Sequence, residues 1–106
     1  MKKIVYFYLL TILLTNFFLF AAKADEIFNL GKDVFINKAA CSTCHVLADS
    51  GSNGQIGPNL NHIRPSKMRV IDVVTNGIGV MPSYQEELTK EEIEAVAHYV
   101  SLSSSQ

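Results

Sequence analysis

Cys41-Ser42-Thr43-Cys44-His45 is the stretch on which the reading of this chain turns. These are the only two cysteines in 106 residues, three positions apart, with a histidine directly after the second. A disulfide between them would close almost no loop and so stabilise little, because the entropic gain of a crosslink grows with the loop it closes. A thioredoxin-like redox pair belongs beside a strand-helix-strand unit, and no such order is visible here. Zinc would have to recruit His45, His62 and His98, which lack the second paired spacing of a zinc module. The pattern C-x-x-C-H is instead the attachment signature of a c-type heme. Two thiols on one helical turn face the same way and can add across the two vinyl groups of one porphyrin. The histidine that follows can turn its imidazole under the ring as proximal ligand. The expectation is one heme c, covalent through Cys41 and Cys44, with His45 on the iron.

Upstream of this motif the chain opens with Met1, Lys2 and Lys3, runs uncharged and mostly apolar from Ile4 to Phe20, and passes through Ala22-Lys23-Ala24 into Asp25-Glu26. A basic start, an apolar core and a small-x-small site before a polar stretch read as a secretory signal peptide. Residues 1–24 are therefore expected to be removed and residues 25–106 to form one domain, exported to the periplasm. The apolar run is longer than the usual signal core and shorter than a standard spanning helix, so an uncleaved membrane anchor is the competing reading.

The expected domain of about 80 residues is near the size at which a protein core alone struggles to offset chain entropy, so a covalent group would complete it. Removal of the signal takes Lys2, Lys3 and Lys23 and leaves six basic residues against ten acidic ones, a formal balance of −4. That balance argues against a nucleic-acid binder, which would show a basic face.

Ile27, Leu30, Val34 and Phe35 recur at helical spacing and predict a helix from Ile27 to about Ala40, with Gly31 inside it. A glycine there costs roughly 1 kcal/mol against alanine, so it either breaks the helix or serves close packing. Ser50-Gly51-Ser52-Asn53-Gly54 and Gly57-Pro58-Asn59 make residues 46–61 a long loop with no regular element. Residues 66–75 are rich in β-branched side chains, but Ser66 as N-cap and Asn76-Gly77 as a stop favour a helix. Thr89 and Glu92 form a capping box, with Leu88 and Ile93 as a hydrophobic staple, and Ile93, Val96, Ala97 and Val100 continue as an apolar stripe. The Ser103-Ser104-Ser105 tail is expected to fray, and His98 to sit in the last helical turn against the helix dipole. These elements give an all-α fold of three to four short helices wrapped around one covalently bound heme.

The whole of residues 25–106 resembles a class I c-type cytochrome. Four places carry the likeness, in the expected order: Gly31 with Phe35, Cys41 to His45, Gly57-Pro58-Asn59-Leu60, and Gly77-x-Gly79-x-Met81-Pro82. The resemblance implies Met81 as second axial ligand, Pro58 as the carbonyl partner of the His45 ring, Leu60 and Ile78 as porphyrin contacts, and Tyr84 near the heme edge. A thioether on the iron favours the ferrous state. It also implies a close crossing of the first and last helices, where Gly31, Phe35 and Tyr99 meet. Phe35 lies six residues before Cys41, two more than is common in the class, which leaves the end of the first helix open. Met68 is the rival thioether, expected rather as core filler, and His62 the rival distal imidazole, expected as a solvated loop residue.

An iron with both axial positions filled changes charge by one electron and admits no substrate. The function implied is a periplasmic electron carrier, not an enzyme. It takes electrons from a dehydrogenase or quinol-oxidising complex and passes them to a cytochrome or oxidase, with no nucleic-acid partner and no stable membrane insertion once the signal is cleaved. The ending Gly77-x-Gly79-x-Met81-Pro82-Ser83-Tyr84 resembles small cytochrome subunits of periplasmic dehydrogenases, including sulfite dehydrogenases. A heme catalyst or gas sensor would instead need Met81 to leave the iron.

Overall fold

The computed structural model describes residues 1–106. Helix α1, Lys2–Asp33, runs without a break through the expected cleavage point and through Gly31. It continues into one π-helical turn, Val34–Lys38, and the chain then reverses at Ala40, whose φ is +53°. The π turn takes up residues 34–38, which is where the extra length before Cys41 falls. The helix thus ends at Lys38 rather than at Ala40.

Helix α2, Leu60–Ile63, and helix α3, Lys67–Asn76, follow the attachment segment, and helix α4, Lys90–Ser103, closes the domain. Ser66 caps α3 by accepting from Arg69 N at 3.1 Å. Thr89 and Glu92 form both halves of the capping box on α4, the Thr89 N–H donating to Glu92 Oε2 at 2.9 Å and the Glu92 N–H to Thr89 Oγ1 at 3.2 Å. Leu88 and Ile93 are both buried in the core. Helical spacing and caps together override the β-branched composition of α3, because its buried face, Val70 and Val74, recurs at i, i+4.

The centre of the fold is the crossing of α1 and α4. A Cβ on Gly31 would lie 2.7 Å from Tyr99 Cβ and collide with the Ala95 backbone, so only glycine fits. Tyr99 is fully buried between Phe28, ring centroids 5.0 Å apart at 74°, and Phe35, 5.7 Å apart at 61°. Both pairs are edge-to-face, the arrangement the ring quadrupoles favour. The crossing expected of Gly31, Phe35 and Tyr99 is therefore present.

Three local expectations are corrected. Residues 46–61 are not without regular structure: β1, Val46–Leu47, pairs antiparallel with β2, Ser52–Asn53. Short side-chain bonds hold this hairpin, since Ser52 Oγ accepts from Leu47 N at 3.0 Å and donates to His45 O at 2.8 Å. The serine tail does not fray at its start, because α4 extends to Ser103 and both Ser103 and Ser104 are buried, with the Ser103 hydroxyl donating to Tyr99 O. His98 consequently lies a turn too early to face the end of the helix, whose last turn holds no basic residue.

Candidate functional site

The attachment segment begins as one 3₁₀ turn, Cys41–Thr43, closed by bonds from Cys44 N and His45 N to Cys41 O at 3.1 and 3.0 Å. That turn brings Cys41, Cys44 and His45 to one wall of a cavity of about 320 Å³. Neither cysteine is in a disulfide and both are half-buried, and burial pushes the pKa of the Cys41 thiol up to about 11. The His45 ring is fixed from behind: Nδ1 donates to Pro58 O at 2.8 Å, which leaves Nε2 as the nitrogen able to bind a metal. Gly57 is needed for that approach, since a Cβ there would lie 2.7 Å from His45 Nδ1. The Gly57 N–H donates to Cys44 O at 2.7 Å, tying the Gly-Pro turn to the attachment turn.

Met81 reaches the same cavity from the loop between α3 and α4. Ile78 N donates to Met81 O at 3.0 Å and Met81 N to Ile78 O at 2.9 Å, so a tight reversal presents the methionine. The loop is stapled to the end of α3 by Tyr84 N donating to Val74 O at 2.8 Å and by the Ser83 hydroxyl donating to Thr75 O. Tyr84 is half-buried on the cavity wall and burial raises its hydroxyl pKa.

Every expected cavity residue converges there: Cys41, Cys44, His45, Pro58, Leu60, Ile78, Met81 and Tyr84 all line it. Met68 does not. It is 72% exposed on α3 and outside the cavity, so it is not the core filler expected of it. His62 is exposed on α2 and stays outside. Sequence reasoning missed the far wall, formed by Val70, Val73 and Val74 of α3 with Val96 and Val100 of α4. The apolar faces were legible as periodicity, but periodicity does not distinguish a helix face that meets a cofactor from one that meets another helix. Arg69, also on the wall, had no signal at all.

The donor set suits a heme covalently attached at one edge. Two thiols and an oriented imidazole share the cavity with a thioether, and 16 of the 22 lining residues are hydrophobic, as a porphyrin face requires. A family model described as "Cytochrome C oxidase, cbb3-type, subunit III" matches residues 28–100. The chain belongs to this family of c-type cytochromes. The crystal structure of the c-type cytochrome SorU from Sinorhizobium meliloti superposes with a TM-score of 0.73 at 46% identity, covering 76% of this chain and 93% of that one. Cytochrome c6 from Gloeothece citriformis is 35% identical over 107 residues, 94% of this chain and 93% of its own length. The protein is thus a monoheme class I c-type cytochrome that carries heme c through Cys41 and Cys44, and its chemistry is electron transfer.

Proposed function

We propose that this cytochrome is a periplasmic single-electron carrier whose iron is held by His45 Nε2 and Met81 Sδ. The observation that carries the reading is the meeting of an oriented imidazole and a loop-presented thioether in one apolar cavity. Heme c supplies an iron that alternates between ferrous and ferric states. The residues of the chain do the rest. Pro58 holds the His45 ring in one tautomer and orientation, the reversal at Ile78–Met81 keeps the thioether in place, and the valines of α3 and α4 exclude water. A low-polarity shell of this kind keeps reorganisation small when the charge changes.

The electron donor is a dehydrogenase or quinol-oxidising complex of the same compartment, and the acceptor another cytochrome or an oxidase. The Gly77-x-Gly79-x-Met81-Pro82-Ser83-Tyr84 ending supports a dedicated cytochrome subunit of a sulfite-dehydrogenase-type enzyme as one form of that donor pairing. A carrier needs the thioether in both oxidation states, whereas a catalyst or gas sensor needs that position open. The ferrous protein near neutral pH is therefore expected to bind carbon monoxide poorly, and the ferric protein to show the weak near-infrared band of methionine-sulfur ligation. Met81→Ala abolishes the band, lowers the potential and admits carbon monoxide; Met68→Ala does none of these. Rapid stoichiometric carbon monoxide binding by the unmodified protein would refute the carrier reading.

A further inference from the structure

Among the 22 residues lining the cavity, the one lysine or arginine is Arg69, and no carboxylate lines it. A heme brings two propionate carboxylates into whatever site holds it, and a carboxylate beside an apolar wall needs a cationic hydrogen-bonding partner. The other cations are placed elsewhere: Lys32 pairs with Asp49, Lys38 with Glu92, and the Arg64 side chain donates to Asn61 O. None of these, nor Lys67 or Lys90, lines the cavity.

Arg69 is also held at the rim by its own helix. Its Nη1 donates to Asp72 Oδ2 at 3.3 Å, and the other oxygen of Asp72 accepts from Asn76 Nδ2 at 2.9 Å. The guanidinium carries five N–H donors and Asp72 takes one, so a two-pronged face remains for a second carboxylate. Its side chain is 56% exposed, which places this contact where the cavity meets water.

We infer that Arg69 receives a propionate of the heme, that Asp72 and Asn76 position it there, and that the balance of charge between Arg69 and Asp72 tunes the reduction potential. The inference rests on the reading of one heme in this cavity. A cation at the heme edge favours the ferrous form, because reduction adds negative charge, and an anion beside that cation offsets it. The other titratable groups on the cavity wall are His45, Cys41, Cys44 and Tyr84; the cysteines are consumed by attachment, and Asp72 stands beside Arg69 on α3.

The test is an equilibrium redox titration of the holoprotein across about pH 5 to 9, a range that brackets a displaced carboxyl pKa. The variants are Arg69→Gln, Arg69→Lys and Asp72→Asn, with Arg64→Gln as a surface-charge control. Arg69→Gln is expected to lower the potential more than Arg64→Gln does. It should also move the pH-dependent part of the curve upward, because a propionate without its guanidinium takes up a proton at higher pH. Arg69→Lys recovers part of the potential, and Asp72→Asn raises it above the unmodified value. Equal shifts for Arg69→Gln and Arg64→Gln, with an unmoved pH profile, overturn the inference. Should Arg69→Gln fail to retain heme, Asp72→Asn decides alone, and an unchanged potential overturns the assignment. Absence of the methionine-sulfur band in the unmodified ferric protein is a different failure, since it removes the ligation reading and not the Arg69 contact.

Discussion

Tyr99 does two jobs at the residue scale. Its ring fills the helix crossing, and its hydroxyl donates to Asp49 Oδ2 at 2.7 Å, clipping the hairpin that follows the attachment segment onto the core. Lys32 Nζ lies 3.1 Å from the same Asp49 oxygen. The Tyr99 hydroxyl first, and Lys32 next, hold the Asp49 carboxyl below its usual value, while burial and the Asp49 charge raise the tyrosine. Because the Asp49 pKa is depressed in the folded state, its contribution is complete above the unfolded value near 4 and is lost as pH falls through the folded one. Tyr99→Phe is therefore expected to cost about 1.5 kcal/mol near pH 7, the lower end for a bond to a charged group, since Asp49 keeps Lys32. Urea unfolding at pH 7 and at pH 3 checks this, and the gap between the two proteins should narrow at the lower pH. None of this clip was legible in the sequence. Tyr99 could be expected at the crossing, but the partner of its hydroxyl is fifty positions away, and no local spacing marks so distant a pair.

At the scale of elements, the fold follows from where helices start, stop and touch. Starts were readable because caps are local: Ser66 and Thr89 act as N-caps through bonds spanning three residues. Stops were less so. The first helix ends in a π turn, whose signature is one displaced hydrogen bond rather than a residue type. The hairpin within residues 46–61 escaped notice because each strand is two residues long, too short for alternation to register. Gly31 was readable as an anomaly, a costly residue kept in a helix, and the structure supplies the reason in the α4 backbone against it. Gly31→Val is expected to destabilise the fold by at least the ~1–3 kcal/mol typical of overpacking, because the obstacle is the backbone at Ala95 rather than the end of a flexible side chain. Heme attachment should survive, since Gly31 does not line the cavity. Denaturant midpoints of the two holoproteins measure the effect, and equal midpoints would remove Gly31 from the crossing.

For the whole molecule the open choice is what becomes of its first 24 residues. The molecule measures 66 × 28 × 21 Å, and the long dimension comes from α1, whose 32 residues span about 48 Å at the rise of an α-helix. Helix α1 as a whole is long and apolar enough to cross a membrane, and none of its most apolar stretch is buried against the rest of the protein. The first buried residue of α1 is Gly31, and the apolar core begins beyond it, with Phe28 and Leu30 packed at its edge. So large an exposed apolar surface is not stable in water; it must either lie in lipid or be removed. Ala22-Lys23-Ala24 fits the small-x-small pattern of a peptidase site and Asp25 gives a polar start, and a cut there would take no side chain from the crossing or from the heme cavity. N-terminal sequencing of the exported holoprotein is accordingly expected to begin at Asp25, with the protein in the soluble periplasmic fraction. A protein expressed with residues 25–106 behind a foreign signal should have the same thermal midpoint and the same potential as the processed native chain. A sequence beginning at Met1, recovered with the membranes, would instead make α1 an anchor. The cytochrome would then be tethered, and its partners would be confined to those that reach the membrane surface.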